Sequence, residues 1–335
     1  MLREYGACSL CPRKCKVNRL QGEKGYCGQT AEITAARAAL HYWEEPCISG
    51  TTGSGAVFFS GCNMGCAFCQ NQEIARGEVA RSLTIDRLSD IYLELQAKGA
   101  ANINLVTASH FIPSVAESLR LAKKKGLNIP VVYNSSAYET TDALRLLDGL
   151  VDVYLPDCKY HDSILSAELS KAPDYFETAM AAIEEMVRQV GDASFYPVGT
   201  IPGAAGSDQL EDKDLLSADE YNDLVVELDD DYEGPLVKKG VIVRHLVLPG
   251  HLDDSKKVLL GLNERFGNSI YISIMNQYTP LRSVPGHPEL DGRVPEAEYE
   301  ELLDFAADIG IENAFLQAGD TAKESFIPDF DYTGL

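Results

Sequence analysis

From residue 56 onward, short apolar runs alternate with amphipathic ones, and this alternation restricts the fold more than any other feature of the chain. Strand-like runs occur at AVFFS (56–60), INLVT (103–107), PVVYN (130–134), VDVYL (151–155), VIVRHLVL (241–248), IYISIM (270–275) and AFLQA (314–318). Helical patterns lie between them. Residues 86–98 place Leu88, Ile91, Tyr92 and Leu95 on one face, and residues 174–190 do the same with Phe176, Met180, Ile183, Val187 and Val190. Glycines suited to a helix end follow several segments, at Gly99, Gly126, Gly149, Gly191 and Gly310. Near-continuous apolar strands alternating with helices call for a parallel sheet covered on both faces, or a barrel. Six or seven such units favour an α/β full or partial barrel over a flavodoxin-like sheet. In both, ligands bind beyond the carboxyl ends of the strands.

Two regions break the rhythm. Residues 1–55 hold five of the nine cysteines with little periodicity, and read as an irregular Cys-rich lobe. Residues 194–240 open with SFYPVGTIPGAAG and run into an acidic stretch; they read as an insertion between the fourth and fifth barrel units, part helical at SADEYNDLVVEL. The barrel then spans 56–320, and 321–335 is a tail.

No apolar run reaches 18 residues, and MLREYGACSLCPRKCK lacks the apolar core of a signal peptide. A cytoplasmic protein with no membrane association is expected. Disulfides rarely persist there, so nine cysteines point to metal or redox chemistry. Acidic residues outnumber basic ones 51 to 29, a balance that repels phosphate backbones and anionic lipid and speaks against nucleic-acid binding. Residues 208–233 carry twelve acids and one lysine, half of the net charge of −22. The first 27 residues go the other way, with six Lys or Arg against two Glu.

Just after the first strand, GCNMGCAFCQN places Cys62, Cys66 and Cys69 in a CxxxCxxC spacing. Three such thiols can reach one inorganic centre, and thiolate suits zinc or an iron–sulfur cluster. A closed zinc site takes four protein ligands, and no fourth stands nearby: His41 and Cys47 lie upstream, and Cys158 is the next cysteine. A cubane held by three cysteines keeps one iron open. Three inert buried cysteines are the plain alternative. A separate set, Cys8, Cys11, Cys15 and Cys27, reads CxxCxxxC followed by eleven residues and a fourth Cys. It completes a shell for zinc or a second [4Fe-4S] cluster, and the basic residues among the thiols favour their deprotonated form.

CNMGCAFC, with Phe68 before its third cysteine, resembles the CxxxCxΦC signature of the radical SAM superfamily. CSLCPRKCKVNR, GEKGYCG, EEPCISGTTGSGAVFFSGCNMGCAFCQN, NLVTASHFIP, VVYNSSAY, YLPDCKY, VRHLVLPG and IMNQYTP resemble blocks of the PflX-like family, itself similar to pyruvate formate-lyase activating enzymes. The likeness runs over nearly the whole chain except 194–240. It implies a full or partial (β/α)6-type TIM-like barrel, a [4Fe-4S] cluster on Cys62, Cys66 and Cys69, and S-adenosylmethionine (SAM) chelating the open iron. Reductive cleavage of SAM then yields a 5′-deoxyadenosyl radical that abstracts hydrogen from a substrate. The implied substrate is a glycine of a partner glycyl radical protein or a small molecule, with flavodoxin or ferredoxin as electron donor.

Cofactor contacts implied by the resemblance lie at the strand ends. TASHF stands where activating enzymes have a glycine–glycine–glutamate element, so Thr107, Ser109 or His110 substitutes for it. Asn134 and Ser135 end the third strand, Asp157 and Lys159 resemble a DxK element, Arg244 and His245 lie in the fifth strand, and Gln277 and Tyr278 follow the sixth. Alternation points only one of Arg244 and His245 inward. A structural ion pair for Lys159, a core histidine at 245 and simple packing for Tyr278 are the plainer readings; Cys158 reads as a small buried hydrophobe and Cys47 has no partner. No catalytic side chain is assigned. A reading of another class is an iron–sulfur electron-transfer or carrier protein that never cleaves the cofactor.

Overall fold

A computed structural model describes residues 2–224, 234–317 and 328–335. Ten strands, β1 (Ile33–His41), β2 (Ser54–Phe59), β3 (Arg81–Leu83), β4 (Ile103–Val106), β5 (Val131–Ser135), β6 (Val153–Pro156), β7 (Ser194–Phe195), β8 (Val237–Leu246), β9 (Tyr271–Met275) and β10 (Ala314–Leu316), form one sheet. Its order is β3-β1-β2-β4-β5-β6-β8-β9-β10, with β7 added to β8. From β2 to β10 every neighbouring pair is parallel and in chain order. Among the described residues no pairing joins β10 to β3, so the α/β barrel is partial.

Helices cover the outer face. Helix Ile85–Ala97 starts at Thr84, whose hydroxyl accepts from the Arg87 amide at 3.0 Å, and it buries Leu88, Ile91, Tyr92 and Leu95. Such a cap is worth about 1 kcal/mol, so Thr84→Ala frays this end. Gly99 ends the segment at φ 86°, a conformation glycine adopts without a Cβ clash. Helix Tyr175–Val190 buries Met180 and Ile183 against the sheet, with Phe176, Val187 and Val190 at its margin.

The amino-terminal region is not wholly irregular. β1 pairs antiparallel with β2 from Ala35↔Phe59 to His41↔Ser54, so the sheet begins at residue 33. ITAARAALH carries four alanines and a central arginine, weak strand formers; pairing with the fully buried β2 supplies what local propensity does not. The hairpin loop 42–53 turns into the barrel from the amino ends of the strands. Its short helix Pro46–Ser49 buries Cys47 and Ile48 against Val132, Val153, Leu155 and Ile242.

Residues 194–195 and 218–224 pack at the same end. Phe195 stacks on Tyr221 at 3.8 Å, and Tyr271 meets both rings edge-on. Tyr221 belongs to helix Ala218–Leu224; residues 225–228 of the expected helix and much of the acidic run lie outside the described residues, as do 318–327 of the barrel end and tail. Tail residues 328–335 return to β1, where Ala38 donates to Thr333 and Tyr332 to Ala36. Among the described residues no helix is long and apolar enough to cross a membrane.

Candidate active site

Cys62 follows β2 by three residues, and Cys66 and Cys69 lie in the same irregular loop at the carboxyl end of the sheet. The loop turns at Gly61 and Gly65, with φ of 91° and 79°. A Cβ on Gly61 would stand 2.5 Å from Gln29 and 2.8 Å from the Cys27 carbonyl; on Gly65 it would stand 3.0 Å from the Tyr26 hydroxyl. These glycines therefore let the amino-terminal lobe pack onto the thiol loop.

Around the sulfurs, the Met64 amide donates to Cys62 Sγ at 3.4 Å and the Ser170 hydroxyl donates to Cys66 Sγ at 3.0 Å. Phe68 stands edge-on to Tyr160 and Tyr278, at 6.4 and 6.1 Å. Arg282 donates to the Cys69 carbonyl at 2.8 Å, tying the loop after β9 over the thiols. Burial and the neighbouring Cys66 raise the Cys62 thiol; burial and the thiols of Cys66 and Cys62 push Cys69 up to about 12, with Lys159 opposing in both cases. Bare thiols placed in this way stay protonated at neutral pH, whereas bound iron displaces the proton. Three soft donors with hydrogen bonds to sulfur and an open side fit a cubane with one free iron.

Beneath the loop, the inward positions of β4, β5 and β8 and the residue just past β6 form a charged chamber. Arg244 is its hub. Its Nε donates to Asp157 at 3.1 Å, Nη1 to Glu44 at 3.1 Å and Nη2 to Asn134 Oδ1 at 2.6 Å. Lys159 Nζ donates to Asp157 Oδ2 at 2.6 Å, and Asn104 Nδ2 to Glu44 at 2.9 Å. Burial works against ionising Asp157, yet Lys159 and Arg244 together hold its carboxyl below the usual range. Burial pushes Glu44 and Glu45 above that range against the pull of Arg244, and Glu45 Oε2 has no hydrogen-bond partner among the described atoms. Arg244 and Lys159 thus share the Asp157 carboxylate, and Lys159 is the cation that acts on the thiols of Cys62 and Cys69.

Asn134, Asp157, Lys159 and Arg244 come together in this chamber. His245 does not. Its ring lies on the opposite face of β8, where Nδ1 donates to the Cys158 carbonyl at 2.7 Å; strand alternation admits one of the two residues to the interior, and it is the arginine. His110 is also turned away: Nε2 donates to the Ser60 carbonyl at 2.8 Å, and the ring lines a small cavity among the amino-terminal cysteines. The Ser109 hydroxyl is bonded to Glu139. Thr107, just past β4 with its amide donating to the Asn134 carbonyl, is held at φ 60°, where a β-branched residue is strained; such strain gathers at functional sites. Gln277 meets the thiol loop through its carbonyl, which accepts from Gln70 at 3.5 Å. Tyr278 is buried against Phe68 and donates to the Leu290 carbonyl. Cys158 and Cys47 are buried in apolar packing.

Cys8, Cys11, Cys15 and Cys27 converge on that second cavity, outside the barrel and against the thiol loop. Arg13 donates to the carbonyls of Asn63 and Met64 at 3.0 and 3.1 Å, and its guanidinium lies 4.0 Å over the Tyr26 ring.

Sequence reasoning passed over Glu44, Glu45, Glu139 and a set formed by His251, His287 and Glu289. Glu44 and Glu45 are the only acids between residues 33 and 72, an isolation that marks them in retrospect. His251 Nε2 and His287 Nδ1 both donate to Glu289 Oε1, at 3.1 and 2.9 Å, beside a rim cleft of about 560 Å³.

An uncharacterized protein of Methanocaldococcus jannaschii is 28% identical over 308 residues, covering 89% of this chain and 74% of that protein. The crystal structure of Streptococcus suis SuiB bound to S-adenosylmethionine aligns over 78% of this chain with a TM-score of 0.46 and 14% identity, and the chain spans 50% of SuiB. Residues 56–203 match the family model of the radical SAM superfamily, which implies a [4Fe-4S] cluster and SAM. The match runs from β2 and its thiol loop past β6 and β7.

Proposed function

We propose that this protein is a radical SAM oxidoreductase of the PflX-like, activating-enzyme-like kind. Cys62, Cys66 and Cys69 would hold the [4Fe-4S] cluster, and the chamber beneath them would seat SAM. When bound, cluster and SAM together supply reductive cleavage to a 5′-deoxyadenosyl radical, which abstracts hydrogen from substrate. The chain's own groups bind and orient. Lys159, fixed by Asp157, would offer its ammonium to the cofactor carboxylate, and Arg244 locks Asp157 and Asn134 in place. The Phe68, Tyr160 and Tyr278 rings exclude water from the loop. On the resemblance, the substrate is a glycine of a partner glycyl radical protein.

The observation that carries this reading is the placement of three thiols at the carboxyl end of the first parallel strand, over a chamber holding two half-buried cations. A carrier protein needs no such chamber. Reconstituted, dithionite-reduced protein incubated with SAM is expected to release 5′-deoxyadenosine, and Cys62→Ala to release none. An intact cluster with no product in the wild type would favour the carrier reading. A glycyl radical signal in a candidate partner would fix the substrate class.

A further inference from the structure

Two histidines and a glutamate meet on the barrel rim, away from every cysteine. We propose that His251, His287 and Glu289 bind a divalent ion of the zinc class, which pins the connection after β9 to the connection after β8. The site goes beyond the radical SAM reading and does not rest on it.

The donor set and its spacing carry the assignment. His251 lies between β8 and helix Leu252–Phe266, whereas His287 and Glu289 lie between β9 and helix Glu296–Asp308. The imidazole rings are inclined at 53° with centroids 6.4 Å apart, so they approach from two directions. His251 Nε2 and His287 Nδ1 stand 3.1 and 2.9 Å from the same oxygen, Glu289 Oε1. The ligand atoms of all three residues lie within 4.8 Å of one another. A tetrahedral ion with bonds of about 2.0–2.2 Å spaces its donors about 3.4 Å apart, so an opening of roughly half an ångström admits it. Imidazole with carboxylate suits zinc and its neighbours in the first transition row; magnesium and calcium prefer oxygen alone.

The surroundings are built for such an ion. His287 Nε2 lies 3.5 Å from Glu168 Oε2. With Nδ1 on the ion, the remaining ring N–H faces a carboxylate that fixes the tautomer. Gly250 has φ 76°, and a Cβ there would stand 3.1 Å from Glu289 Cβ, so the glycine makes room for the acid. Both histidines line the rim cleft, where Asp162, Glu168, Asp253, Asp254 and Glu298 outweigh Lys257. That excess draws cations from solvent to the site.

The connection holding His287 and Glu289 also covers the thiol loop. Tyr278 packs on Phe68 and donates to the Leu290 carbonyl, and Arg282 donates to the Cys69 carbonyl. An ion at residues 287–289 ties this cover to the start of helix Leu252–Phe266.

The test uses full-length protein whose thiols have been filled by anaerobic iron–sulfur reconstitution. Titrated with zinc, wild type is expected to take up about one more ion per chain than His251→Gln/His287→Gln. Equal uptake overturns the site and leaves an ion-free hydrogen-bonded cluster. Should the double variant fail to fold, cobalt(II) added to the wild type decides the matter. Visible bands of a nitrogen–oxygen ligand shell, without thiolate charge-transfer bands, are expected; cobalt bands of thiolate character alone overturn the site. For the clamp, zinc should slow tryptic cleavage after Arg282 at least tenfold in the wild type, and magnesium should not. Zinc uptake without this protection sinks the clamp. None of these measurements uses SAM cleavage, so failure of the radical SAM reading would appear separately, as missing 5′-deoxyadenosine.

Discussion

The barrel interior has two layers built by the same strands, and they have opposite character. Towards the amino ends, Val132, Val153, Ile242 and Tyr271 meet Phe195, Tyr221 and Ile48 in an apolar floor. Two or four residues further along, Asn134, Asp157, Arg244 and Ser273 face the same way and carry charge or hydrogen-bonding groups. Side chains two apart share a face, so each strand supplies both layers without any change of backbone. Stability belongs to the floor and recognition to the layer above it.

Three experiments probe that division. The largest effect is expected from Arg244→Ala, which leaves Glu44 without its cation and Asp157 with Lys159 alone and costs about 5 kcal/mol. Adding Glu44→Gln should restore part of this in urea melts; strict additivity would show that the two do not act as a pair. Next, Phe195→Ala removes the ring stacked on Tyr221 and costs about 4 kcal/mol, leaving cluster content and SAM affinity of the folded protein unchanged. A loss of SAM affinity there would dissolve the distinction between layers. The smallest effect concerns Glu139, which burial pushes from 4.5 to about 7 against hydrogen bonds from Ser109, Ser135 and Tyr133. The folded state holds this proton more tightly than the unfolded one. Its stabilising contribution is complete below about pH 4.5 and is lost as pH climbs through 7, a change on the order of 3 kcal/mol. Glu139→Gln should flatten the pH dependence of the urea midpoint between pH 5 and 8; an unchanged slope would place the titration elsewhere.

The seven parallel strands were legible because their apolar runs are rich in Val, Ile and Tyr and are bounded by turn residues. β1 was not, because alanines flanking Arg37 carry no strand signal and its partner β2 lies thirteen residues on from its end. Within the site, the cysteine spacings were local and readable. Alternation limited β8 to one inward residue but could not choose between Arg244 and His245, since the choice depends on Glu44 and Asp157 waiting opposite. His110 was unreadable for a similar reason: its partner is the Ser60 carbonyl, a group no side-chain pattern reports. Glu44 was hidden because a hairpin loop entering a barrel is a tertiary event.

That entry has a consequence for biosynthesis. Glu44 and Arg244 are 200 positions apart, and Asp157 emerges between them. On the ribosome, at roughly 5–20 residues per second, the carboxylates wait many seconds for their guanidinium. Until it arrives, a dry interior would strand them, so the nascent half-barrel must stay wet and ajar. The pocket is sealed by the late strand, which makes its completion a checkpoint on the synthesis of nearly three quarters of the polypeptide.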